Sequence, residues 1–320
     1  MTGPGKPAHQ EESARLEESA RSWQAARPRL VRVAYSITGS VAEAEDVVAD
    51  CWLRLAAADV VDRVLDVEAW ATVTVARAAL DVLRSARVRR EVYPGPWLPE
   101  PMLGASVAAV DPAGSDPAGL DPADRVSLDD SVSYALLVVL ETLSPAERTA
   151  WVLHDLFAVP FAEVAVTVGR TPAAVRQLAA RARAHVRAST PRVPVTPAEH
   201  RFAVRMFLQA AAGGDLAALI ATLDPDVVLT SDGGGEVSAA RHPVHGPERV
   251  ARFVLGIMAK TPAGALVRLL DVNGDPGLAV FEDGALTSVA VFTAGVHGVS
   301  RVDIVRAPAK LAAAARQAAP

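Results

Sequence analysis

The stretch S-P-A-E-R-T-A-W-V-L-H-D-L-F-A-V-P-F-A-E-V-A-V-T-V-G-R-T-P-A-A-V-R-Q-L-A-A-R-A-R-A-H-V-R, from Ser144 to Arg187, holds two helix starts of one kind. Ser144, Pro145 and Glu147 form a capping box with proline at the first helical position. Thr171-Pro172 repeats the cap and the proline. Between them lies a short helical pattern, Phe161 to Thr167, and then Gly169, a residue able to take the left-handed turn between two crossed helices. The layout predicts a helix-turn-helix.

The helix after the turn indicates its use. Val175, Leu178, Ala182 and Val186 follow helical spacing and form a buried stripe, leaving Arg176, Gln177, Arg181, Arg183 and Arg187 on or beside the open side. Six arginines and no acid lie between Gly169 and Arg192. A solvated helix face normally mixes signs, whereas one lying along phosphates and reaching base edges needs Arg and Gln without carboxylates. The plainer alternative is an Arg-rich surface helix in an Arg-rich chain.

With 320 residues and 51% apolar, the chain has room for two or three domains. Its net charge of -5 argues against a general nucleic-acid binder, so the segregation of acidic and basic stretches matters more than the total. The single Cys51 excludes an internal disulfide and a multi-cysteine zinc site, and no metal or cofactor is expected. No apolar run approaches about eighteen residues and no signal peptide opens the chain, so a soluble cytoplasmic protein with no membrane partner is expected.

Residues 1–21 are polar and read as a disordered lead or fraying helix. A first ordered helix is expected from Trp23 to Ile37, stopping at Gly39. Ser40 and Glu43 then open a helix with an apolar seam (Ala44, Val47, Val48, Cys51, Leu55) and an acidic strip (Glu43, Asp46, Asp50). The next helix, about Ala69 to Arg87, has Trp70, Val73, Ala76, Leu80 and Leu83 as apolar positions. Arg77, Arg84, Arg87, Arg89 and Arg90 make its later half basic. An acidic helix followed by a basic one suggests one positively charged partner and one carrying phosphates. Seven prolines and a D-P-A-G near-repeat between Tyr93 and Leu128 predict a flexible acidic tether, in which Trp97-Leu98-Pro99 is suited to docking. After Pro191, Pro194 and Pro197, two helices should precede a strand at Val227–Thr230, a Gly233–Gly235 turn and a return strand. A helix at Pro247–Ala259 and four short strands from Val267 to Val305 complete an α+β cone with an antiparallel meander.

Trp23 to Arg187 resembles regions two and four of an extracytoplasmic-function sigma factor, through A-E-D-V-V-A-D-C-W-L-R-L, the basic A-W-A-T-V-T-V-A-R helix and the S-P-A-E-R helix-turn-helix. Y-P-G-P-W-L-P-E-P (Tyr93–Pro101), R-Q-L-A-A-R-A-R (Arg176–Arg183) and S-D-G-G-G (Ser231–Gly235) resemble the SigJ-like subfamily, which carries a SnoaL-like domain after region four. The resemblance implies a multidomain chain: region two at 22–92, a linker at 93–127, region four at 128–190, a SnoaL-like (nuclear-transport-factor-two-like) cone at 197–306 and a tail at 307–320. It implies that Asp46, Ala49 and Asp50 meet RNA polymerase core, Ala49 standing where the family often has Gln. It further implies that Thr171, Ala173, Ala174, Arg176, Gln177, Arg181 and Arg183 meet the upstream (-35) element of promoter DNA, while Trp70, Arg77, Arg84 and Arg87 meet the downstream (-10) element. Trp97, Leu98, Pro99, Asp232, Gly233, Gly234 and Gly235 are expected to form a regulatory interdomain set. Two departures stand out: Glu236 replaces a frequent Lys, and the usual N-P-D-K-L is Ala307-Pro308-Ala309-Lys310-Leu311, which puts the regulatory use of the tail in doubt.

The expected function is therefore an alternative sigma factor modulated by its own C-terminal domain. One competitor is a one-component helix-turn-helix regulator whose cone senses a small ligand; another is an isomerase or cyclase fused to a DNA-binding half. Asp232, His242 and His245 are the acid and base candidates for the latter, but sit in turns without a second group at a readable spacing, so no catalytic residue is assigned. A small ligand of the cone is left open.

Overall fold

The computed structural model describes residues 6–61, 64–90, 93–104, 132–189 and 195–317. The chain divides into two compact units, one of residues 1–88 and 143–185, the other of 89–142 and 186–320.

In the first unit, α1 (Lys6–Thr38), α2 (Val41–Val61) and α3 (Val67–Arg90) pack through Leu30, Val33 and Ile37, the predicted α2 seam, and Val75, Ala79 and Leu80. Helix α1 begins at Lys6 rather than Trp23, so of the two readings of the lead, disordered or helical, the helical one holds from Lys6. The E-E-S-A-R-L-E-E-S-A-R run is polar but strongly helix-forming, and Ser19 near its end and Trp23 just beyond it are buried. Trp23 packs at 5.6 Å from Trp52. The Ser40 hydroxyl accepts from Glu43 N at 3.1 Å, capping α2.

After α4 (Tyr134–Leu140), which belongs to the second unit, α5 (Pro145–Trp151) starts at the predicted capping box, both of whose bonds form. It runs into a π-helical turn, Val152–Leu156, where Phe157 N donates to Val152 O at 3.2 Å. α6 (Phe161–Val168) ends at Gly169, with φ of 69°, and α7 (Pro172–Ser189) follows. α5 is joined to α1 by Arg148, only 1% exposed, whose Nε donates to the Ser36 carbonyl at 2.9 Å. Arg29 donates to the Phe157 carbonyl at 3.0 Å and Arg87 to that of Leu143 at 3.1 Å, so the two helical regions share one unit.

In the second unit, α8 (Pro197–Gly213), α9 (Leu216–Ala221) and α10 (Pro247–Met258) lie on a six-stranded sheet. Its strands are β1 (Leu223–Asp232), β2 (Val244–His245), β3 (Leu266–Val272), β4 (Asp275–Glu282), β5 (Ala285–Gly295) and β6 (Gly298–Val305), in the order β2-β1-β6-β5-β4-β3. β3 to β6 form the expected meander. β1 instead pairs parallel with β6, and the return strand expected after the glycine turn is an irregular segment leading to the two-residue β2. Val204, Phe207 and Leu219 pack with Leu229, Phe292 and Val302 on the inner face.

The outer face, with Val272, Ala279, Val291 and Val305, is covered by Leu98, Leu103 and Tyr134, and by Leu311 and Ala314 of α11 (Pro308–Gln317). Residues 93–104 thus form a strap on the sheet rather than free tether. Leu103 bridges antiparallel to Val272, Gly104 N donates to Asp271 O at 2.8 Å, and Asn273 N donates to Met102 O at 2.9 Å. Full burial of a leucine contributes about 1.5–3 kcal/mol, so Leu98 and Leu103 anchor the strap. The near-repeat, the expected start of region four at 128, and Pro191 and Pro194 lie outside the described residues.

Candidate functional site

Asp232, at the end of β1, is 1% exposed and gathers the most distant parts of its unit. Its Oδ1 accepts from Tyr93 Oη at 2.5 Å and Gly234 N at 3.0 Å; its Oδ2 accepts from Leu98 N at 2.8 Å. Lys310 of α11, itself 4% exposed, brings Nζ to 2.5 Å from Oδ2 and donates also to the Leu98 carbonyl. The ammonium lies 3.2 Å from the Trp97 ring centroid, and Tyr93 meets Trp97 edge-on at 5.1 Å. Burial first, and the hydrogen bond to Asp232 second, push the Tyr93 phenol above its ordinary pKa, so it remains a donor. The Asp232 carbonyl accepts from Arg306 and Ala307 N at 2.7 and 3.0 Å, fixing the approach to α11.

Gly234 and Gly235 have φ of 69° and 77°, and a Cβ on Gly235 would overlap the Pro94 ring of the strap. The expected set of Trp97, Leu98, Asp232 and Gly233–Gly235 is therefore brought together, and the Pro99 carbonyl is held by Tyr134 Oη at 2.9 Å. Asp232 is not merely a turn residue, as its spacing suggested, but the hub of a buried ion pair. Lys310, Tyr93 and Tyr134 were missing from the expected set. The retained lysine in the altered tail was the one available signal. A second buried acid, Asp303 on β6, is pushed upward in pKa by burial against the pull of Arg301, whose Nε lies at 2.6 Å.

On α7, Val175, Ala179 and Ala182 are buried, while Leu178 and Val186 are only partly so. Thr171 caps the helix through Ala174 N at 3.3 Å, and Ala173, Arg176 and Gln177 are exposed. The acid-free helix nevertheless meets acids from elsewhere: Arg181 pairs with Glu147 at 2.8 Å and Arg183 with Asp155 at 2.5 Å. Arg176 lies 5.5 Å from the Phe161 ring centroid. On α2, Asp46, Ala49 and Asp50 form an exposed strip continued by Leu53, 66% exposed. Buried Cys51 has its thiol pKa pushed up to about 11, mainly by burial, and is inert. On α3, Trp70 is half-buried, Arg77 exposed, Arg84 paired with Asp81 at 3.2 Å and Arg87 engaged with Leu143.

Two helical regions, one ending in a capped helix-turn-helix, followed by an α+β domain define a sigma factor: residues 23–89 match Sigma-70 region 2, and residues 133–186 match Sigma-70, region 4. The chain belongs to the extracytoplasmic-function sigma factors. It is 41% identical over 280 residues to ECF RNA polymerase sigma factor SigJ of Mycobacterium tuberculosis, covering 87% of this chain and 81% of that protein. It is 35% identical over 291 residues to the Probable ECF RNA polymerase sigma factor SigI of the same species, covering 91% and 93%. The crystal structure of M. tuberculosis SigJ superposes with a TM-score of 0.68 at 36% identity, covering 92% of this chain and 98% of that one. The protein is thus a transcription initiation factor that directs RNA polymerase core to promoter DNA, and not an enzyme; the two competing readings are set aside. No helix among the described residues is long and apolar enough to cross a membrane.

Proposed function

We propose that the C-terminal α+β domain controls this sigma factor by holding the strap that follows α3 in the chain. The Asp232–Lys310 pair carries this reading: it binds Tyr93 and Leu98, the first part of the connection between regions two and four. A domain that grips this connection limits the arrangements open to the two regions, and both its halves, β1 and α11, lie beyond region four in sequence. Run-off transcription with core polymerase, using wild type, Lys310→Met and Gly234→Arg matched for folding, tests it. Equal output from all three makes the domain a passenger.

The remaining assignments rest on the family resemblance, and the exposure of Asp46, Ala49, Asp50, Arg77, Ala173, Arg176 and Gln177 supports them. Asp46, Ala49 and Asp50 face core polymerase, so Asp46→Arg with Asp50→Arg abolishes holoenzyme formation in a folded protein. Thr171, Ala173, Ala174, Arg176 and Gln177 enter the major groove of the -35 element, where loss of a base-pairing side chain costs about 1–3 kcal/mol and relaxes preference at that position. Arg181 and Arg183 serve as phosphate contacts only by sharing or leaving Glu147 and Asp155. Trp70, Arg77, Arg84 and Arg87 serve the -10 element, Arg87 on release from Leu143. The protein acts in the cytoplasm without a membrane partner.

A further inference from the structure

The outer face of the sheet is not covered to its end. Beside α11, at the junction of β3, β4 and β5, a half-open groove of about 580 Å³ has Leu266, Phe281 and Leu286 as its floor and Leu311 and Ala315 as its wall. Its size lies within the range of about 300–1,000 Å³ usual for small-molecule sites. Arg268 is the sole charged residue lining it among the described residues. The guanidinium lies 5.3 Å from the Phe281 ring centroid, and no carboxylate among the described residues pairs with it. An arginine supported on an aromatic ring keeps its planar fork of donors free for a carboxylate, at the edge of a surface that gains by losing water.

We propose that this groove binds an amphiphilic organic anion, an acyl chain or apolar ring carrying one carboxylate, with the carboxylate on Arg268 and the apolar part against Phe281, Leu286 and Leu311. The site lies on the outer face, away from the filled interior under α8 and α10. Its chemistry selects by sign: a cation of the same chain length meets Arg268 unfavourably. Occupancy also has a route to the strap. Leu311, on the wall, is the neighbour of Lys310, so an anion packed against α11 holds the helix that places the ammonium on Asp232 and Trp97. This second step rests on the control reading above; binding does not.

The test uses the full chain, decanoate as probe in competition with 1-anilinonaphthalene-8-sulfonate, and decyltrimethylammonium as the opposite charge. Saturable binding of decanoate is expected, weakened about tenfold or more by Arg268→Glu and blocked by Ala315→Trp, which fills the groove from an exposed helical position. Absence of saturable binding, equal affinity in Arg268→Glu, or equal affinity for the cation overturns the site. Binding that emerges only when residues 105–131 are deleted also overturns it and gives the groove to the chain's own acidic segment. Hydrogen exchange of residues 93–104 should slow on decanoate binding. If decanoate binds as expected and that exchange is unaltered, the site stands and the coupling falls.

Discussion

Replacing Lys310 by Met removes one partner of an ion pair whose side chains are 5% and 0% exposed. Removing one member of a buried pair costs about 3–5 kcal/mol. Asp232 keeps its bonds from Tyr93, Leu98 and Gly234, and Met keeps a favourable contact with the Trp97 ring, so the low end, about 3 kcal/mol, is expected. The loss falls on strap release before global unfolding, because Lys310 also holds the Leu98 carbonyl. Hydrogen exchange of the peptide 93–104 should therefore quicken by roughly 100-fold, while peptides of β5 and β6 keep their protection. Asp232→Asn should have a comparable effect by leaving the ammonium unmatched. The double variant should be less damaged than the sum of the singles, with a coupling of about 1–3 kcal/mol. Strictly additive singles, or unchanged strap exchange in Lys310→Met, would refute the clamp.

Gly235→Ala places a Cβ against Pro94 and strains a φ of 77°, so it should release the strap around Tyr93 without melting the sheet; exchange equal to wild type would contradict this. Arg148→Met leaves the Ser36 carbonyl without its buried donor and should destabilise the first unit by about 1–3 kcal/mol in denaturant titration, an unchanged midpoint counting against it. Glu147 is held below the usual carboxylate pKa, first by the Ser144 hydroxyl and then by Arg181. A depressed folded pKa gives stability that is present above the unfolded value and lost as pH falls through the folded one. Acid titration below about pH 4.5 should therefore weaken α5 and its tie to α7 together, and Glu147→Gln should flatten that dependence. A pH profile identical in the variant would remove Glu147 as the cause.

The helix-turn-helix was legible because its signals are local: caps at Ser144 and Thr171, and a left-handed Gly169, act within a few residues. The α2 seam was legible for the same reason. The partners of Arg181 and Arg183 were hidden because their acids lie 34 and 28 residues away, on another helix and in the π turn. The lead before Trp23 was read from its polarity, which says little about helix propensity in Ala-, Glu- and Arg-rich chain. Strand alternation marks β1 but carries no direction, so its parallel pairing with β6 was hidden. Lys310 reaches across 78 residues to a turn whose glycines alone were conspicuous.

The π turn at Val152–Leu156 gives the chain ahead of α6 and α7 room to vary in length. Its i→i+5 bond carries one residue more than an α-helical turn, and Phe157 behind it is fixed by Arg29. A π turn takes up its extra residue by widening, so loss of one residue here would restore the i→i+4 pattern and leave the chain beyond in nearly its present direction. The segment therefore works like slack in a belt: it can give back one residue without turning the helices that follow. Length can thus vary by one residue within Val152–Leu156 at little cost to α6 and α7, whereas a deletion inside α5, where the geometry is already α-helical, would swing them by about 100°.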